Sequence, residues 1–280
     1  MLTKLDCIGL VVCGCLIVCS GCATSSLKQA APVLSDCHDF SRNPESINLE
    51  KLSDADQAMV KSVLGSLEPI IHERRQQQTL AWLTFEDLYA LLDENQQIFL
   101  RAFAAIYPNQ LKIDIPYQAI QEPPPDLVKI ESRTLPAANG QLYVTQTQFL
   151  PKNVYFAYIN MTKAMQQDIE KTLYVASGYR SPAYQLYLFL FYLKNHEYSI
   201  LETRRFVAWP GFSEHGNPRR QAIDFVNEQG IDGQDNAAEF EALEEYRWLL
   251  EHAGQFGFEL SYPKGGKMAF EPWHWRYRGQ

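Results

Sequence analysis

Apolar and polar positions alternate along the chain in two distinct rhythms. From Ser53 the apolar residues Met59, Val60, Val63, Leu64 and Leu67 recur at helical spacing, with Ser53 placed to cap the helix and Asp56 in its first turn. Thr84 with Asp87, and Asp93 with Gln96, predict two more helix starts, leading into Leu88, Leu91 and Leu92, then Ile98, Phe99, Ala102, Phe103 and Ile106. Residues 51 to 110 are therefore expected to form a small helical region. A proline-rich stretch over 111–126, with Pro116 and the triple Pro123, Pro124, Pro125, cannot continue a helix and marks the clearest internal boundary.

Beyond that boundary the pattern mixes short apolar runs with helical ones. Asn139-Gly140 predicts a tight turn before a strand through Leu142, Val144 and Thr145. Tyr158, Met161, Met165 and Ile169 return to helical spacing. Leu173 to Ala176 reads as a short buried strand ending at Ser177-Gly178. A helix from Pro182 to about His196 carries Tyr184, Tyr187, Phe191 and Tyr192, an aromatic face expected to pack in a core. One more helix is predicted from about Ala238 to Gly254, and a closing strand from Phe270 to Tyr277. Helices first, then short strands mixed with helices, predict an α+β domain over 127–280.

The first 22 residues break both rhythms. A short stretch bearing Lys4 precedes an apolar run from Cys7 to Cys19, too short to span a bilayer comfortably, and then Ser20-Gly21-Cys22. Five of the six cysteines (Cys7, Cys13, Cys15, Cys19, Cys22) lie in this segment and only Cys37 lies beyond it, so no disulfide framework is expected in the folded part. Small residues directly before a cysteine resemble the bacterial lipobox, although Cys19 stands where a leucine is usual. The resemblance implies a signal peptide over 1–21, lipidation of Cys22, and a tether over 22–50 that hangs the domain from the periplasmic face of a bacterial membrane, in particular the outer membrane. The net charge of -8 argues against a nucleic-acid partner, which would require a basic face.

Candidate chemistry is confined to three short segments: Ser213-Glu214-His215, Ala222-Ile223-Asp224 and Glu271-Pro272-Trp273-His274-Trp275-Arg276-Tyr277. Together they supply two imidazoles, a carboxylate ligand and a further carboxylate. Catalytic zinc takes three N/O ligands at about 2.0–2.2 Å and keeps one position open, a demand that His215, Asp224 and His274 would meet. Such an ion lowers the pKa of the water it binds towards about 7, and Glu271 would serve as the base that moves the proton. His38, His72, His196 and His252 lack partner residues at ligand spacing.

These segments, preceded by Ser177-Gly178-Tyr179-Arg180-Ser181, occur in an order that resembles the VanY-type D-alanyl-D-alanine carboxypeptidases, part of a wider group that includes lysostaphin-like enzymes and hedgehog domains. The resemblance covers roughly residues 127 to 280. It implies a small antiparallel sheet with flanking helices, one zinc ion per chain held by His215, Asp224 and His274, and Glu271 as catalytic acid/base. It further implies that Arg180 holds the substrate's carboxylate or the developing oxyanion, that Gln185 and Ser213 contact the terminal peptide, and that Trp273 forms part of the pocket wall or of the core. The implied substrate is the stem peptide of peptidoglycan, trimmed of its terminal D-alanine by D,D- or L,D-cleavage. An endopeptidase of the same fold, or a non-catalytic zinc protein that binds such peptides, is the alternative; the retention of Glu271 favours the enzyme.

Two features depart from the pattern. Eight residues, Gly216 to Ile223, separate His215 from Asp224 where the family usually has six, with Arg220 in place of a glycine. The surplus is expected to loop out while the strand keeps its position. In a regular strand Glu271 and His274 would face opposite sides, so a break in the chain is expected near Pro272.

Overall fold

The computed structural model describes residues 42–279 except 108, 112, 114–122, 138–139, 234–236 and 267. The signal segment, Cys22, Cys37, His38 and Pro116 lie outside the described residues. The helical region comprises α1 (Asp54–Gln76), α2 (Phe85–Tyr89) and α3 (Glu94–Ala104). Each begins at the predicted cap. Ser53 Oγ accepts from the Asp56 N–H, while Thr84/Asp87 and Asp93/Gln96 form reciprocal capping boxes.

Then follow β1 (Leu127–Ile130), β2 (Thr134–Pro136), β3 (Leu142–Val144), β4 (Gln148–Pro151), α4 (Lys152–Ile169), β5 (Leu173–Ser177), α5 (Pro182–Tyr192), α6 (Ile200–Thr203), β6 (Ala222–Asn227), α7 (Ala237–Glu241), α8 (Glu244–His252), β7 (Phe258–Leu260) and β8 (His274–Tyr277). Two antiparallel pairs, β1 with β4 and β2 with β3, stand beside a four-stranded antiparallel sheet of order β5-β6-β8-β7. This is the α+β arrangement of small antiparallel sheets and flanking helices.

Strand alternation sorts the four-stranded sheet into two chemically distinct faces. Ile223, Phe225, Trp275, Tyr277 and Phe258 point into a core completed by Val154, Tyr158, Met161 and Met165 of α4 and Trp248 and Leu249 of α8. The alternate positions Asp224, His274, Arg276 and Glu259 belong to the opposite face: Asp224 pairs with His274, and Arg276 with Glu259. A one-residue slip would put these charges into the apolar core, so the register is strongly specified.

A second core joins the helical region to the domain it precedes. Val60, Val63, Leu67, Phe99 and Phe103 pack with Ala183, Leu186, Phe189 and Leu190 of α5 and with Trp209 and Phe212. The helices over 54–104 thus share their interior with α5. This packing corrects the expectation for the aromatic face of α5. Tyr184 and Tyr187 sit at the margin of the core, Phe191 and Tyr192 are each 38% exposed, and the aliphatic side of the helix faces inward. The helix predicted over 238–254 is divided, because Leu243 takes an extended conformation that lets both Phe240 and Tyr246 reach the core. The closing strand begins only at His274. Pro272 and Trp273 form a turn, and the His274 N–H donates to the Glu271 carbonyl at 3.1 Å.

Candidate metal centre

His274 and Asp224 are brought together by sheet register. As a directly opposed pair on β8 and β6, their side chains meet on one face, with His274 Nδ1 2.8 Å from Asp224 Oδ1. His215 arrives from a short 3-10 turn, Glu214–Gly216, that lies against the end of β5. A bulge between Val175 and Ser177 brings Ser177 opposite Asp224 and re-aims the chain there. The following residues clamp the turn: the Arg180 N–H donates to the His215 carbonyl at 3.1 Å, and His215 Nδ1 lies 2.7 Å from the Gly178 carbonyl. Position 178 has no room for a side chain, since a Cβ there would stand 2.5 Å from the Phe149 carbonyl oxygen.

His215, Asp224 and His274 are all buried, and one ligand atom from each lies within 4.8 Å of the others. His215 Nε2 is 3.2 Å from Asp224 Oδ2 yet makes no hydrogen bond among the described residues, an orphaned nitrogen in a buried site. Two imidazole nitrogens and a carboxylate around one point, with a nitrogen left without a partner, fit a divalent transition ion. Burial, reinforced by the charge of Arg180, pushes His215 down to about 4, so its ring is neutral at pH 7. Burial alone would raise Asp224, but the facing imidazoles hold it well below the usual carboxylate range. His274 runs the other way: against burial, Asp224 and Glu214 hold it protonated up to about 10.

Glu271 overlooks this cluster. The turn at Pro272–Trp273 carries its Oε2 to 3.8 Å from His274 Nδ1, although the two residues are only three apart. Burial pushes its carboxyl up to about 7, with the negative charge of Asp224 adding to the effect and His274 opposing it. A carboxyl that titrates near neutrality is suited to both taking and giving a proton. Arg180 is half-buried, and its Nε is buried without a hydrogen-bond partner among the described residues.

The remaining predicted site residues are placed as follows. Gln185 is buried, with Nε2 donating to the Ala208 carbonyl at 2.7 Å and Oε1 without a hydrogen-bond partner among the described residues. Ser213 is buried and begins the turn that carries His215. Trp273 packs against the sheet's core and over Gly233, whose φ of +77° and lack of a Cβ admit the indole. The long connection between His215 and Asp224 forms a turn over Asn217–Arg220 with Arg219 and Arg220 exposed, so β6 keeps its register. Among the described residues, His72, His196 and His252 lie outside the cluster; His72 hydrogen-bonds Gln76, His196 stacks on Phe206, and His252 lies against Trp248.

Sequence reasoning missed Glu214, Ser261 and Tyr262. Glu214 is the unspecified middle residue of Ser-x-His, yet it is buried and accepts from His274 Nε2 at 3.1 Å. Its place beside a candidate ligand does not by itself mark it, because its partners lie far along the chain.

Residues 147–280 match the family described as VanY: D-alanyl-D-alanine carboxypeptidase. The bifunctional D-Ala-D-Ala dipeptidase and D-Ala-D-Ala carboxypeptidase VanXYC of Enterococcus gallinarum is 31% identical over 115 residues, 40% of this chain and 58% of that protein. The putative carboxypeptidase YodJ of Bacillus subtilis (strain 168) is 32% identical over 142 residues, 48% of either chain. The chain thus spans about half the length of these curated relatives. The solved LdcB LD-carboxypeptidase aligns over 56% of this chain and 69% of its own, at 26% identity and a TM-score of 0.43.

Proposed function

We propose that this protein is a zinc-dependent carboxypeptidase that removes the terminal D-alanine from peptidoglycan stem peptides, a reading supported by the match of residues 147–280 to the VanY D-alanyl-D-alanine carboxypeptidase family. The observation that carries the reading is the convergence of His215, Asp224 and His274 beneath the carboxyl of Glu271. Zinc bound by those three side chains would polarise the scissile carbonyl and acidify the attacking water. Glu271, whose carboxyl overlooks the cluster, would take the water's proton and deliver it to the departing amine. The Arg180 guanidinium, whose Nε has no hydrogen-bond partner among the described residues, holds the substrate's terminal carboxylate, and its planar fork suits two oxygens at once. Gln185 and Ser213 would contact the same end of the peptide. The Asn217–Arg220 turn beside the metal ligands is the part of the site that departs most from the family pattern, and it bears on which peptide is accepted.

The location proposed is the bacterial cell envelope, with the chain anchored through lipid on Cys22. Tethering to a membrane would hold the site near its polymeric substrate.

The test is incubation of the purified protein, loaded with zinc, with stem peptides ending in one or two D-alanines, followed by mass spectrometry. Release of a single terminal D-alanine, abolished by a chelator, supports the reading. Internal cleavage of cross-linked peptides would assign an endopeptidase instead, and intact peptides in all samples would leave a binding protein.

A further inference from the structure

The polar face of the sheet continues past the three converging side chains into an unbroken row of charges. His274 meets Glu214, Glu214 meets Arg276, Arg276 meets Glu259, and Glu259 meets Arg278. Sheet register accounts for part of this row, since Arg276 and Glu259 are directly opposed on β8 and β7. Glu214 belongs to no strand. It enters from the turn that carries His215 and is buried at 6% exposure, where an unpaired carboxylate would be costly.

Among the described residues three hydrogen bonds reach that carboxylate. Oε1 accepts from Arg276 Nη1 at 2.6 Å; Oε2 accepts from the Ser261 hydroxyl at 2.6 Å and from His274 Nε2 at 3.1 Å. An imidazole ligand binds a metal through one nitrogen and donates through the other; Glu214 occupies the Nε2 side of His274, whereas Nδ1 lies on the side of the other proposed ligands, so Nδ1 is the nitrogen placed to meet the metal. Nδ1 is also the nitrogen that faces Asp224. The pair Ser261-Tyr262, just past β7, completes the cradle. The Tyr262 ring stacks on the His274 imidazole with centroids 4.7 Å apart and planes 25° apart, the Ser261 N–H donates to the His274 carbonyl, and the Tyr262 carbonyl accepts from the Glu271 N–H.

We propose that Glu214, held by Arg276 and Ser261, is a positioning residue that fixes the tautomer and orientation of His274 so that its Nδ1 is presented to the metal. The inference rests on the zinc reading above and adds to it an outer carboxylate supplied by the same turn as the ligand His215. One short segment, Glu214-His215, thereby contributes both a ligand and the orienter of a second ligand 60 residues away in sequence. His215 has a weaker outer partner, the Gly178 carbonyl, so the two imidazoles are oriented differently: one by a neutral acceptor, the other by a charge.

The test compares wild type, Glu214→Gln and Arg276→Met for zinc affinity of the metal-free protein by chelator competition, for the visible spectrum of the cobalt(II) form, and for melting temperature of the metal-free protein. Glu214→Gln keeps the shape of the side chain and loses the charge. Removing outer partners of this kind costs roughly 10–100-fold in metal affinity. A loss in that range for Glu214→Gln, with a smaller loss for Arg276→Met and an altered cobalt spectrum, is the expected result. Wild-type zinc affinity and an unchanged cobalt spectrum in both variants would overturn the proposal, even if both melted lower, because the row of charges would then serve the fold alone. An unfolded Glu214→Gln combined with wild-type affinity in Arg276→Met would overturn it equally. Wild-type protein that binds no zinc in the same assay would instead refute the metal reading itself.

Discussion

Replacing Glu271 with glutamine tests the proton-handling role at nearly constant shape, and two independent readouts follow from one substitution. In the folded protein burial pushes this carboxyl from 4.5 to about 7. A displacement of that size is worth roughly 3 kcal/mol between protonation states. Because the folded value is the raised one, the stability associated with the neutral carboxyl is fully present below about pH 4.5 and is lost as pH rises through about 7. The side chain keeps 25% of its surface accessible, and solvent screening reduces the effect, so a loss of about 1–3 kcal/mol is expected. Melting the metal-free protein at intervals from pH 4.5 to 8 should show this decline in wild type, beyond that of Glu271→Gln, as a difference of several degrees for a domain of this size. The zinc-loaded variant should retain its metal while turnover on a D-alanine-terminated stem peptide falls roughly 10²–10⁴-fold. Parallel pH–stability curves together with undiminished turnover would refute the assignment.

Gly178→Ala should cost about 1–3 kcal/mol, since the new methyl would stand 2.5 Å from the Phe149 carbonyl oxygen; a melting temperature within a degree of wild type would count against the tight clamp described. Zinc affinity should fall about tenfold per pH unit on acidification from 8 to 6, because His274, held protonated up to about 10 by Asp224 and Glu214 against the effect of burial, must give up one proton to become a ligand; pH-independent affinity would contradict this. Arg180→Lys keeps the charge but loses the planar fork, and should lower kcat/KM at least tenfold, mainly through KM; unaltered kinetics would remove Arg180 from substrate binding. Cys22→Ala should move the full-length protein from the membrane to the soluble fraction of cells; retention on the membrane would exclude lipidation at that residue as the anchor.

The helix starts were legible in the sequence because capping is a local matter: Ser53, Thr84 and Asp93 need only a partner three residues away. The convergence of His215, Asp224 and His274 was expected from motif order, and its cause is the pairing of Asp224 with His274 across β6 and β8. Such register depends on residues far apart along the chain. The break at Pro272, anticipated from the geometry of a regular strand, is what lets Glu271 and His274 share a side. Glu214 was not legible, because its partners His274, Arg276 and Ser261 come from more than 45 residues away and nothing adjacent marks it. The core shared by the N-terminal helices and α5 was equally hidden. Periodicity shows that a face is apolar, not which face will cover it.

Zinc-edge anomalous diffraction from crystals of the zinc-loaded protein tests the central claim most directly. The account predicts a single strong peak within about 2.0–2.2 Å of His215 Nε2, an Asp224 carboxylate oxygen and His274 Nδ1, with an open position facing Glu271. A peak at other side chains, or none where these three meet, would contradict it.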